Sequence, residues 1–360
     1  MVVTTQRKPC RRARFMVPGC ICIYVIAILA HINLATALLC FVSLTRNFLP
    51  IMRLPLTLFS TAIFSAVANA YPNPGVVTGD TAVADPTMCK DDAGTYFIFS
   101  TAPGIQILTS TDRTAWTYAG LVWPDGASWT DAYTGTTNGN LWAPDCTYLD
   151  GQFYLYYAAS SFGSQNSAIF FAKSTTGASG SFTNEGLVTS TVTGDTYNAI
   201  DPNLLVAGST WYLSLGSFWD GIVGEASSTG KPSGSSVNSL AERFVNSGAI
   251  EASVIFQFGD FYYLFSSWDI CCDGTSSTYN IRVGRSSTYN GGFVDADGVA
   301  LTDGGGTLVL ESHGDIIGPG GQDIMTDVDG VVIVYHYYTS TGTWLGINLL
   351  DFSTGWPVAF

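Results

Sequence analysis

The sequence predicts an all-β fold and, within that class, a five-bladed β-propeller. Three observations carry the prediction. Strand signals rich in aromatic residues recur five times after residue 70. No long stretch shows the 3.6-residue periodicity of an amphipathic helix. The chain is rich in glycine (39 residues) and aromatics (13%) but poor in charge (12%), the composition of closely packed short strands and turns. Residues 71–360 suit one such domain rather than several.

The repeating unit is a short apolar segment, a turn and then an aromatic strand. In order these strands are "GTYFIFS" near Tyr96, "GQFYLYYA" near Phe153, "STWYLSLG" near Trp211, "GDFYYLFSS" near Phe261 and "GVVIVYHYY" near Val332. Their intervals are about 57, 58, 50 and 71 residues, the span of one four-stranded blade, so five units make five blades. About seven to eleven residues ahead of each aromatic strand stands an acidic residue: Asp85, Asp145, Asp201, Glu251 and, in the fifth unit, Gln322-Asp323. A single Asp-Pro, as at Asp85 and Asp201, is usually a turn residue satisfied by nearby N–H groups. Repetition changes the reading. The first strand of each blade lines the central channel, so acids at matched points are expected to converge on the axis and form a central-axis active site. Converging carboxylates push one another's pKa values apart, and one protonated plus one ionised carboxyl is what hydrolysis of a glycosidic bond requires. Abundant aromatic rings suit the C–H faces of sugars.

Charge narrows the partners. All 28 acidic residues follow Ala70, and against seven basic residues they give residues 71–360 a net charge of −21, which argues against nucleic acid or an anionic membrane as partner. Residues 52–70, "MRLPLTLFSTAIFSAVANA", have the basic start, apolar middle and small-residue end of a secretory signal, with cleavage expected before Tyr71. Ahead of it, Phe15 to Thr45 is an uncharged run long enough to span a bilayer. Residues 1–51 are therefore either a membrane anchor or an extension of the gene model with Met52 the true start. A spanning helix followed at once by a complete signal is redundant, which favours the second. Either reading places the folded domain, residues 71–360, outside the cell, where it is expected to be a secreted monomer.

Cys89, Cys146 and the adjacent Cys271-Cys272 remain for that oxidising compartment. Cys271 and Cys272 are expected either to form a vicinal disulfide or to bond separately to Cys89 and Cys146. The domain has no Asn-x-Ser/Thr acceptor for N-glycosylation. His313 and His336 stand without ligand-spaced partners, so no metal site is expected from them and His336 reads as a hydrogen-bonded strand residue.

Together "ADPTM", "LWAPDCTYLDGQFYLYYA", "YNAIDPNLL", "SFWD", "IEASVIFQFGDFYYLFSS", "CCDG" and "ESHGDIIGPGGQD" resemble the fungal endo-1,5-α-L-arabinanases of glycoside hydrolase family 43, from about Asp85 to Trp356. The resemblance implies a five-bladed propeller that cleaves internal α-1,5 links of linear plant arabinan with inversion. It implies Asp85 as general base, Glu251 as general acid, and Asp201 as the carboxylate that raises and orients the acid. It further implies substrate contacts at Trp142, Asp145, Asn198, Trp219, Cys271 and Cys272, with a structural role equally open for Asp145. Two positions depart from the pattern. Gly321 stands where many relatives carry a histidine that holds an ion on the axis, so no cofactor is counted as required; Ala84 stands where relatives often have histidine before the base. Rival readings are an exo-acting arabinofuranosidase or β-xylosidase on the same scaffold, and a non-catalytic carbohydrate-binding propeller. With no further domain after Phe360, an open cleft and endo action are expected.

Overall fold

A computed structural model of the chain describes residues 71–360, apart from 138, 228–229 and 232–236; the expected signal and N-terminal extension lie outside the described residues. Among the described residues no helix is long and apolar enough to cross a membrane. The chain forms five blades, each built on four antiparallel strands; the first two carry a further two-residue strand, Thr78–Gly79 pairing parallel at the edge of blade 1 and Ala102–Pro103 pairing with the first strand of blade 2. Their first strands are Thr87–Lys90, Asn140–Leu149, Asn203–Ala207, Ile250–Phe258 and Ile317–Asp327. Each pairs with an aromatic second strand: Tyr96–Ser100, Gln152–Ala159, Thr210–Leu215, Phe261–Trp268 and Gly330–Thr339. All five predicted aromatic strands are therefore the second strands of five blades.

Their continuous apolar character follows from where they sit. Successive side chains on a strand point to opposite faces, and both faces of each second strand are covered by neighbouring blades. Phe97 and Phe99 pack with Phe153, Leu155 and Tyr157 of blade 2, whereas Tyr96 and Ile98 pack with Val332 and Val334 of blade 5. Tyr156 turns the other way, onto Leu204 and Leu213 of blade 3. Tyr263 and Phe265 face Ile333 and Tyr335, while Leu264 faces Leu205 and Tyr212. The core is thus five apolar clusters, one in each gap between blades. The chain before blade 1 closes the ring: Gly75 donates to the Ile347 carbonyl at 2.8 Å and Leu345 donates to that of Thr81 at 2.9 Å.

At the axis each blade carries the same local device. Asp85, Ala143, Asp201, Ala252 and Gly321 have φ between +39° and +58°, the left-handed region that costs a non-glycine residue. The regular ladder starts or resumes two residues later, at Thr87, Asp145, Asn203, Val254 and Asp323. Four of these later side chains accept an N–H of the next blade, each at 2.9 Å: Thr87 from Cys146, Asp145 from Leu204, Asn203 from Ile255 and Asp323 from Met88. Val254 has no polar atom to offer. A disulfide between Cys89 and Cys146, with Cα atoms 5.9 Å apart, joins blades 1 and 2 just beside this ring.

Candidate active site

The left-handed residues decide which acids share a surface. Asp85 and Asp201 occupy the left-handed position itself, Glu251 stands one residue before it, and Asp145 and Asp323 two residues after it. The expectation of a single level of acids is therefore corrected: three carboxyls face a cavity of about 670 Å³ at one mouth of the channel, and two lie below it. The left-handed residue, marked in blades 2, 4 and 5 by a shift of pairing register within the first strand, breaks the period-two alternation that would otherwise have placed matched acids together.

That cavity is lined by Asp85, Asp201 and Glu251, with Trp142, Asn198, Trp219, Cys271 and Cys272 around them. Asp145 is not among its lining residues. It is 5% exposed, its carboxyl accepts Asn203 Nδ2 at 2.8 Å and Leu204 N at 2.9 Å, and burial beside Asp323 raises its pKa to about 8. Its expected sugar contact is replaced by a part in the ring that seats blade 3.

The three carboxyls differ in environment. Asp85 is half-buried, with 31% of its side chain exposed; Oδ2 accepts the Thr101 hydroxyl at 2.7 Å, and Oδ1 lies 3.4 Å from His336 Nδ1. Glu251 is buried, and its two oxygens accept the hydroxyls of Ser217 at 2.6 Å and Tyr279 at 2.8 Å. Burial pushes Glu251 up and the Asp85 charge adds to this, while those two hydroxyl bonds pull it down. Asp201, whose Oδ2 accepts Ala252 N at 2.9 Å, is pushed well up by burial and then by the charges of Glu251 and Asp85. Three acids on one cavity, two of them desolvated, cannot all ionise near neutrality, so the set retains a proton.

Aromatic surfaces flank the acids. Trp219 is 44% exposed, and Trp142 lies against Phe162, centroids 5.1 Å apart, with Phe162 79% exposed. Phe162, Ser217, Tyr279 and Tyr338 all line the cavity and were not singled out by the sequence reading. The signals were present only as an aromatic in the Gly-Ser loop "SSFGSQN" and as hydroxyls in otherwise ordinary segments. Asn198 accepts the Ser167 hydroxyl at 2.7 Å, which orients its amide on the wall. Cys271 and Cys272 are free thiols, not the expected vicinal disulfide, and the Cys89–Cys146 bond rules out the cross-paired alternative. Cys272 N is held by the Tyr338 hydroxyl at 2.9 Å, and the Cys272 thiol and burial push the Cys271 thiol up.

The place of the axial histidine is filled differently. A Cβ on Gly321 would lie 2.5 Å from Asp85 Oδ1 and 2.8 Å from His336 Nδ1, so no side chain fits there, and His336 occupies the space. Among the described residues no three His, Cys, Asp or Glu side chains are grouped to hold a metal ion. This donor set does not suit an ion at that place, and no step is derived through one.

Comparison with known proteins agrees with the geometry. The family model for glycosyl hydrolases family 43 matches residues 71–357. An arabinan endo-1,5-α-L-arabinosidase A of Aspergillus niger is 42% identical over 320 residues, covering 84% of this chain and 98% of the relative. Among solved structures, a family 43 endo-arabinanase from Bacillus licheniformis superposes with a TM-score of 0.74 at 37% identity, over 79% of this chain and 99% of its own. An exo-1,5-α-L-arabinanase from a bovine ruminal metagenomic library does so with 0.74 at 32%, over 79% and 98%.

Proposed function

The chain belongs to family 43 of the glycosyl hydrolases, and from that membership we propose that it is a secreted endo-arabinanase. It cleaves internal α-1,5-L-arabinofuranosidic bonds of linear arabinan, the side chains of plant pectin, with inversion at the anomeric carbon. The observation that carries the reading is the unequal trio: a buried Glu251 held by two hydroxyls beside two half-buried aspartates on one aromatic-flanked cavity. Asp85, oriented by Thr101, takes a proton from the attacking water. Glu251 protonates the departing glycosidic oxygen. Asp201, from blade 3, is close enough to Glu251 that ionisation of either carboxyl disfavours that of the other, and it ties itself to the backbone beside Glu251 through Ala252 N, which supports both the acid's proton and its position. An inverting pair stands roughly 6.5–9.5 Å apart to admit the water.

The test is product analysis on debranched arabinan, with the anomeric form of new reducing ends read by NMR. Oligomers of mixed length appearing first, in the inverted β form, are expected. Arabinose alone from the outset favours the exo-acting alternative, which the likeness to the ruminal exo-arabinanase keeps in view. Retained configuration would overturn inversion. Secretion is checked separately, by the mass of the mature N-terminus in culture fluid, expected at Tyr71.

A further inference from the structure

Beyond the three acids, the cavity holds a chain of hydrogen bonds that fixes the direction of every proton in it. It runs from the base to Tyr338 on the same wall. Asp85 N lies 3.0 Å from His336 Nδ1, and because a backbone N–H can only donate, Nδ1 is the acceptor and carries no proton. His336 is buried, and burial holds its pKa below the ordinary value despite the Asp85 charge, so the ring is neutral. Its one proton is therefore on Nε2, an assignment made from the bonding pattern. Nε2 lies 3.0 Å from the Tyr338 oxygen and donates to it. The same oxygen accepts Cys272 N at 2.9 Å. A phenol oxygen has two acceptor positions and one proton. Both acceptor positions are filled, and among the described residues no acceptor pairs with the hydroxyl proton. Tyr338 lines the cavity beside Asp85, so that proton is presented to whatever occupies it.

We infer that Tyr338 is a hydrogen-bond donor to a ring hydroxyl of the arabinofuranosyl unit seated over Asp85, and that His336 is the positioning residue that makes it one. The inference rests on the arabinanase reading above. It assigns the cavity a neutral, directional donor tied to the same imidazole that holds the base's backbone. The groups facing His336 are Asp85, Tyr338 and, with ring centroids 5.9 Å away, Tyr279, while the uncharged backbone of Gly321 closes against the ring.

The experiment pairs a variant with altered substrates. Wild type and Tyr338→Phe are assayed on α-1,5-arabinotetraose and on analogues whose unit at the cleaved bond lacks its 2- or its 3-hydroxyl. One neutral hydrogen bond corresponds to about a tenfold loss in kcat/KM. Wild type is expected to lose about that factor on one analogue; the variant is expected to lose it on the parent and nothing further on that analogue. Equal losses on both analogues in wild type and variant would overturn the donor. Because Tyr338→Phe strands two N–H groups and can destabilise the fold, a second measurement uses wild type alone. The ¹⁵N shifts of His336 at neutral pH are expected to show the Nε2–H form, and finding Nδ1–H overturns the proposal. A wild type inactive on every α-1,5-arabinosyl substrate removes the arabinanase reading and this inference together, a result distinct from an active enzyme without the coupling.

Discussion

Replacing Glu251 with glutamine keeps the outline of the side chain and removes its proton. Both carboxyl oxygens accept hydroxyls, from Ser217 at 2.6 Å and Tyr279 at 2.8 Å. The amide offers one acceptor and one donor group, so one hydroxyl must turn or stand unsatisfied, at a cost of about 1–3 kcal/mol. In a domain of this size that is a fall of several degrees in Tm, which leaves the variant folded at 25 °C. The kinetic effect is larger. A general acid contributes about 10²–10⁴-fold, so arabinan hydrolysis should fall at least about a hundredfold, equivalent to about 2.7 kcal/mol of transition-state stabilisation. Reducing ends released from linear arabinan report this loss. A second substrate, an aryl arabinobioside whose phenol departs without protonation, reports whether the missing function is that of an acid. Its hydrolysis should stay within about tenfold of wild type. Equal losses on the two substrates, or near-intact hydrolysis of arabinan, would refute Glu251 as the acid.

Other outcomes follow from the same geometry. Gly321→Ala places a methyl group against Asp85 and His336 at a φ of +58°, and should lower kcat more than tenfold and stability by about 1 kcal/mol or more, read by steady-state kinetics and denaturant midpoint. Burial holds the Asp145 pKa near 8, so the folded state keeps a proton that the unfolded chain has lost; this contribution to stability should fall as pH rises from about 4 to 8, and Asp145→Asn should flatten that slope in Tm while changing activity by no more than a few-fold. The acid must be protonated to work and its pKa is raised, so activity should fall as pH climbs through that value, and Asp201→Asn should move the fall to lower pH. Replacing Cys89 and Cys146 with serine opens a loop whose ends are 57 residues apart, for which chain entropy predicts a loss of about 4 kcal/mol in urea unfolding.

Much of this architecture was legible because it depends on local composition. Five aromatic strands must be apolar on both faces, since each lies between two blades, and that leaves a mark in any sequence. Asp85 and Asp201 were legible through Asp-Pro at the strand mouth. The relative level of Glu251 and Asp145 was not, because it depends on a left-handed residue at Ala143 and Ala252, where alanine gives no sign of unusual backbone. Reading the spacing as uniform put Asp145 in the cleft, whereas two residues of offset carry it to the floor of the ring. Tyr279 stands just ahead of the strand Asn280–Ser286 of blade 4, and Ser217 in the loop after the second strand of blade 3. Their approach to Glu251 is tertiary, and nothing local announces it. The thiols of Cys271 and Cys272 show the same limit: adjacency in sequence permits a bond without requiring one.

The ring of side chains below the acids has a consequence for how such a protein can be taken apart and rebuilt. Thr87, Asp145, Asn203 and Asp323 each hold the backbone of the following blade, so half of the seating of each of those blades is written in its neighbour. A blade transplanted from a relative carries its own half only, and a chimera joined at one of those seams must import the partner residue as well. The seam between blades 4 and 5 is different. Val254 offers only packing and the N–H of Ile324 is satisfied by its own neighbour Asp323, so the polar links lie elsewhere: Ser267 accepts Gly321 N at 3.0 Å and donates to Gln322 Oε1 at 2.6 Å, and Gln322 Nε2 donates to the Ala252 carbonyl at 2.6 Å. A chimera joined at that seam must therefore carry Ser267 and Gln322 together, since each leaves a buried partner of the other blade unpaired when it is exchanged alone.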